Sequence, residues 1–238
     1  YFTPFEIPEP KGPYKFGSYR ELTINKQIGE FAASLTNDFK ERIVGFLGDQ
    51  VRLDDIYMFW YDPEKREKDW SYSNSWHDDN VGHRIKIFAC FEGNGTTPTV
   101  VIPNSYNKPY TRRKEERQRF ANIRDTSSRP GEFRLAYKAG DVAIFDTSCL
   151  HRGLYEEPAA RRAVLALEFI DRDKCNKIAG ILPCAPGMSP TGKVLFEQGA
   201  YEALRQTGLL DETLIAREGE YYSYSLANYT RQLGKVAA

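Results

Sequence analysis

Between Asp55 and Ile170 the chain is cut by turn residues into short apolar runs, each too short to make a self-supporting buried helix. Asp55 to Tyr61, Arg84 to Phe91, Thr97 to Pro103 and Val142 to Phe145 are such runs, as is Ala163 to Ile170, which Arg162 opens. They are rich in β-branched and aromatic residues, which fit a pleated, half-buried surface. Glu92-Gly93-Asn94-Gly95 and Gly140-Asp141 supply turns between them. Short strands of this kind satisfy their edges by closing a barrel or by stacking two sheets. A chain of 238 residues suits one large domain of that type, so a single domain over 1–238 is expected.

Helical periodicity flanks this β region. Ile28, Phe31, Leu35, Phe39, Ile43 and Phe46 recur at spacings of three and four. Asn25 is placed to cap the start and Gly48 to end it, and Asn37-Asp38 is a point where the helix can divide. A second helix is expected from Val194 to Gln206, before an aromatic tail from Tyr221 to Tyr229. Residues 1–20 are broken by proline and glycine and read as an irregular arm, and the charged run 62–69 as a solvated loop. The expected class is mainly β (α+β), with helices outside the β core toward both termini.

The chain has three histidines, His77, His83 and His151. In an extended segment residues two apart share a face, so His77 and Asp79 of Trp76-His77-Asp78-Asp79 project together. His151 follows just past the end of the Val142–Phe145 strand, and Arg162 comes eleven residues later. Two imidazoles and one carboxylate form the facial ligand set of non-haem Fe(II) oxygenases. This order, His-x-Asp, a long gap, His and then Arg on the next strand, resembles the Fe(II)/2-oxoglutarate-dependent dioxygenases, and within them the phytanoyl-CoA dioxygenase-like family. Lys86-Ile87-Phe88, Thr99 to Lys108, and Phe145-Asp146 with His151-Arg152-Gly153 extend the resemblance over residues 76–169. Asn104 stands where that family has a glycine.

The resemblance implies a double-stranded β-helix (jelly-roll, cupin-like) with its metal at the open end. It implies Fe(II) held by His77, Asp79 and His151, with 2-oxoglutarate and O2 as cosubstrates. Arg162 is then the partner of the cosubstrate's distal carboxylate, since a guanidinium offers two parallel hydrogen bonds and stays charged. Arg161 faces the other way on the strand. Lys86 is a second candidate for the cosubstrate carboxylate, or a plain exposed strand residue. The implied activity is oxygenation, most simply C–H hydroxylation, of a small organic molecule, with release of succinate and CO2. A carboxylate at Asp79 favours hydroxylation over halogenation. Gly153 provides no hydroxyl after the distal histidine, where the family often has one.

Other readings of the same residues stand beside this one. His83 is a pocket residue or an ordinary loop histidine, Asp146 orients a ligand or caps a turn, and Trp76 is core packing. A cupin-like non-redox metal-binding protein or isomerase would use the same three ligands but would leave Arg162 without a role. A non-catalytic interaction domain would need none of them.

Lysine plus arginine equals aspartate plus glutamate at 33 each, so no net field favours nucleic acid. No apolar stretch is long enough to span a bilayer. Cys90, Cys149, Cys175 and Cys184 show no C-x-x-C pairing, and a reducing cytoplasm is the expected setting. Tyr110 to Phe120 is strongly basic, and its i,i+4 pairs suit a solvated helix or a lid attracting an anionic small-molecule substrate.

Overall fold

The computed structural model describes residues 2–14, 17–65, 74–79, 84–105, 127–156, 159–171 and 193–225. Its contacts divide the chain into two compact units. The first comprises Tyr1–Arg20, Phe59–Val81 and Lys86–Ala166, and the second Glu21–Met58, Gly82–Ile85 and Leu167–Ala238. Strands β3 (Val51–Tyr61), β4 (Arg84–Glu92) and β9 (Arg162–Asp171) contribute residues to both. With β1 (Ser18–Glu21) and β7 (Val142–Asp146) they form a five-stranded sheet in the order β1-β3-β9-β4-β7. The molecule is mainly β, in the expected class.

In the first unit a smaller sheet has the order β6-β5-β8, from β5 (Thr99–Val101), β6 (Phe133–Leu135) and β8 (His151–Gly153). Both pairings are antiparallel, with Val101 opposite Phe133 on one side and His151 on the other. Side chains from the two sheets share one core. Val101 clusters with Phe145 of β7 and with Cys149, and Phe88 of β4 and Leu135 of β6 pack against them. This double-sheet packing is what the jelly-roll expectation requires. The N-terminal arm is irregular, as expected, up to β1. The Phe2 and Phe5 rings meet Phe91 edge-on at 5.3 and 4.9 Å, and the Phe2 N–H donates to Gly140 O at 3.1 Å.

In the second unit α1 (Lys26–Leu47) is one unbroken helix, so Asn37-Asp38 does not divide it. Asn25 Oδ1 accepts from the Ile28 N–H at 2.9 Å, and Gly48, at φ 105°, sends its N–H back to Val44 O. The buried face is rotated from the one expected. Ile28, Leu35 and Ile43 are inside, but Phe46 is 46% exposed and Leu47 is buried in its place. The small residues Gly29, Ala32 and Ala33 decide the rotation, because α1 lies tightly against α2 (Gln198–Gln206). A Cβ at Gly29 would sit 2.3 Å from the Ala200 Cβ.

The helix expected from Val194 begins only at Gln198. Val194–Glu197 is instead strand β10, antiparallel to β12 (Tyr221–Tyr224) and parallel to β2 (Thr23–Ile24). Its burial alternates, with Val194 and Phe196 inside, and cross-strand pairing overrides the helical pattern that continues from it. β11 (Ile215–Glu218) completes the sheet order β11-β12-β10-β2.

Strand β3 starts at Val51, four residues before the expected Asp55. Asp54 hid the earlier start, since a carboxylate rarely enters a strand that is buried. Asp54 is inside because Arg84 binds it there, and the same guanidinium reaches Glu168 Oε2 at 3.2 Å. Tyr57 donates to the other Glu168 oxygen at 3.3 Å. Among the described residues no helix is long and apolar enough to cross a membrane.

The Gly29 contact gives a stability prediction. Gly29→Val should cost about 1–3 kcal/mol by overpacking. Gly45, on the same helix with no atom within 4 Å of a Cβ placed there, should accept Ala neutrally or with a small gain. Thermal melts of the two variants check this, and equal melting temperatures would contradict the packing.

Candidate metal centre

His151, past the end of β7, is the first residue of β8, and β8 holds His77. The His77 N–H donates to His151 O at 3.0 Å, and the His151 N–H returns to His77 O at 2.8 Å. Two residues on, the Asp79 N–H donates to Thr147 O at 3.0 Å. The His-x-Asp segment is thus extended, as its alternation requires, and its backbone is tied at both ends to the chain around the distal histidine.

The two imidazoles lie with centroids 4.4 Å apart. His77 Nδ1 contacts Ser75 O at 2.7 Å and His151 Nδ1 contacts Cys149 O at 3.0 Å. A carbonyl only accepts, so each Nδ1 carries the proton and each Nε2 keeps its lone pair. One donor atom from each of His77, Asp79 and His151 lies within 4.8 Å of the others, close enough to hold one metal ion. Asp79 Oδ2 is 3.7 Å from His151 Nε2.

Electrostatics keep two of these donors, His77 and Asp79, in their ligating forms. Burial, then the neighbouring His151, lowers the His77 pKa to about 3, so its ring is neutral at ordinary pH. Burial opposes charge on Asp79, but the Lys86 ammonium against it outweighs burial and holds the carboxyl well below its usual range. Two neutral nitrogens and one carboxylate oxygen suit a divalent transition metal, iron among them.

Lys86 is on β4, and its ammonium donates to Asp79 Oδ2 at 2.8 Å. Asp146 caps a turn, its Oδ1 accepting from the Ser148 N–H at 2.7 Å. Trp76 is buried, as expected, with its indole N–H on Ser127 O and the Arg129 and Arg152 guanidiniums against its ring. Asn104, at φ 61°, holds the left-handed conformation that glycine would adopt most easily. Just after it Ser105 Oγ accepts from the Leu150 N–H at 2.6 Å, bracing the residue before His151.

Arg162 opens β9 and points into the first unit's core, 6% exposed. Its Nη1 donates to Thr97 O and to the Tyr137 hydroxyl, each at 2.7 Å. The guanidinium lies 5.3 Å from the Phe59 ring centroid, and its buried Nε has no hydrogen-bond partner among the described residues. Arg161 faces outward to Glu9 and Glu92, as the alternation requires. An aromatic series joins the two places. Phe145 meets the His151 ring at 5.7 Å, Phe88 meets Phe145 at 5.4 Å, and Phe88 meets Tyr137 at 6.0 Å.

Tyr137 and Thr99, whose hydroxyls lie 3.1 Å apart, were not found from the sequence. Thr97-x-Thr99 on an apolar strand was a readable sign of a hydroxyl face, whereas Tyr137 gave no local sign. Cys90 and Cys149 are free buried thiols, and burial pushes Cys90 up to about 12. His83, the basic stretch at 110–120, Cys175 and Cys184 lie outside the described residues.

No protein-family model matches the chain, and no curated protein matches it. Similar solved structures include HygX from Streptomyces hygroscopicus with nickel and 2-oxoglutarate bound. It is 13% identical with a TM-score of 0.43, over 65% of this chain and 70% of that one. EctD from S. alaskensis with bound Fe is 17% identical with a TM-score of 0.42, over 71% of this chain and 61% of that one. EvdMO1 is 16% identical with a TM-score of 0.36 over 55% of this chain, which spans 30% of EvdMO1's length.

The ligand geometry predicts one metal per chain. Titration with Co(II), followed by its visible d–d absorption, should saturate at one equivalent. Asp79→Ala removes a third of the donor set and should weaken binding by roughly a hundredfold or more. Unchanged affinity in Asp79→Ala would remove Asp79 from the centre.

Proposed function

We propose that the chain is an Fe(II)- and 2-oxoglutarate-dependent oxygenase of the phytanoyl-CoA dioxygenase-like kind that hydroxylates a C–H bond of a small organic molecule. The observation that carries this is the pairing of a three-donor centre with a buried arginine in the same core. Arg162 is almost wholly out of water, and its Nε–H has no acceptor among the described residues. A buried donor left unpaired is costly, and a carboxylate offered to it relieves that cost. A protein that only held metal would have no use for it.

His77, Asp79 and His151 would hold Fe(II) on one face, leaving the other coordination positions for cosubstrate and oxygen. Bound there with 2-oxoglutarate and O2, the iron supplies the oxidation, in which the cosubstrate leaves as succinate and CO2 and one oxygen atom enters the substrate. The chain's own work is placement. The Ser75 and Cys149 carbonyls hold both imidazole tautomers, and Lys86 orients Asp79 through Oδ2. Arg162 fixes the far end of the cosubstrate. Phe88 and Phe145, edge-on to each other, keep water from the space between. All of these residues belong to the first compact unit. A reducing compartment, the cytoplasm, suits the free thiols at Cys90 and Cys149. The basic sequence at 110–120 supports an anionic substrate.

The test is a titration of 2-oxoglutarate into anaerobic, metal-loaded protein. Arg162→Lys keeps the charge but loses the fork, and one charge-assisted bond is worth about 1.5–3 kcal/mol. Affinity should fall roughly ten- to a hundredfold, at about 1.4 kcal/mol per decade, with metal binding unchanged. Arg161→Lys, on the outer face, should bind as the parent does. Unaltered binding in Arg162→Lys would contradict the assignment.

A further inference from the structure

We infer that Trp76 and Arg152 are positioning residues for the metal centre, an indole and a cation locked together behind the sheet to hold the His77 imidazole beside that of His151. The inference rests on the reading of His77, Asp79 and His151 as one metal centre, and it is independent of the chemistry that the metal performs.

His77 meets β8 through an isolated bridge rather than a run of ladder bonds. One rung fixes where two backbones touch but lets the segment swing about it, and a small swing carries a side chain out of ligating geometry. A contact on the opposite face resists that swing. In an antiparallel pair with His77 opposite His151, Trp76 comes opposite Arg152, and both point away from the imidazoles. They meet there, with the Arg152 guanidinium carbon 4.9 Å from the centre of the Trp76 ring. Each is the chain neighbour of a donor, so the imidazoles and the cation–indole pair are the front and back of one junction.

The pair is itself anchored at both members. The Trp76 indole N–H donates to Ser127 O at 2.7 Å, and the Arg129 guanidinium lies 5.5 Å from the same ring. Arg152 Nη2 is 3.9 Å from Glu132 Oε2, and that oxygen accepts from the Arg129 N–H at 3.2 Å. Residues 127–132 lead directly into β6, which lies across β5 from β8. The His77 segment and β6 are therefore tied through the back of the sheet as well as along its backbone.

Trp76 is 1% exposed and Arg152 4%. A guanidinium buried this deeply is costly, and a leucine would fill the space against an indole without that cost. What the cation adds is direction. It is attracted to the face of the ring and holds the ring centred on it, whereas apolar contact is indifferent to sliding.

The experiment titrates Co(II) into the metal-free protein, reading affinity and the d–d spectrum, beside a thermal melt of each metal-free variant. Arg152→Met keeps a long apolar side chain but loses the cation, and it should weaken Co(II) binding roughly tenfold and shift the d–d bands. Arg152→Lys, which keeps a cation over the ring, should recover most of that loss. Trp76→Leu with Arg152→Met should weaken binding no more than either change alone, because the two side chains make one contact. If Arg152→Met does not fold, Arg129→Met at the half-buried partner of the same ring carries the test, with an expected loss of roughly threefold. Arg134→Met is the control. Arg134 shares the cross-strand row of Arg152 through Val100 but is half exposed and pairs with Glu156, so this variant should bind as the parent does. Lower melting temperatures with Co(II) affinity and spectrum unchanged would mean packing alone and would overturn the inference. A parent protein that binds no Co(II) would instead overturn the metal centre on which it rests.

Discussion

The reciprocal backbone hydrogen bonds between His77 and His151 are the contact on which the site depends. They join two segments more than seventy residues apart in the chain. They also put two imidazoles side by side without any help from their side chains. A metal centre built on these three residues would be largely organised before metal arrives, because the costly step, bringing distant donors together, is met by strand pairing. The Nδ1 contacts to Ser75 and Cys149 carbonyls then turn both rings the same way, each through the residue two positions before it.

Around that pair, among the described residues, the buried Lys86 and Arg162 are each engaged by polar partners. Lys86 answers Asp79, and Arg162 answers a carbonyl and a phenol with one Nη while holding another N–H in reserve. Burying charge this deeply costs several kcal/mol unless it is paired. A fold concerned only with stability would place apolar residues there. The second unit spends the same currency differently, with Arg84 locked between Asp54 and Glu168.

The clustering of His77, Asp79 and His151 was legible in the sequence because it needs only a period of two, a short supply of histidine and a strand order. Arg162 was legible for a related reason, as a charge at the start of an apolar strand whose neighbour Arg161 must face outward. What was hidden depends on partners far away in sequence. Tyr137 and Thr99 gain meaning only when two sheets bring them to Arg162. Strand β3 was read short because Asp54 looks like a terminator until Arg84 is seen beside it. The face of α1 was misplaced by one residue at Phe46 because close approach at Gly29, rather than side-chain size, sets the rotation. Local chemistry shows in a sequence, whereas the second partner of a buried polar group mostly does not.

The central claim is that one centre binds iron and 2-oxoglutarate together. Anaerobic addition of Fe(II) followed by 2-oxoglutarate tests it directly by visible absorption. A cosubstrate that chelates Fe(II) through its carboxylate and keto oxygens gives a weak visible charge-transfer band, which neither component gives alone. The account predicts that this band appears in the parent protein and saturates at one iron and one 2-oxoglutarate per chain. Iron binding without any band on saturation with 2-oxoglutarate would contradict it, and would leave a metal-binding β protein whose buried arginine serves something else.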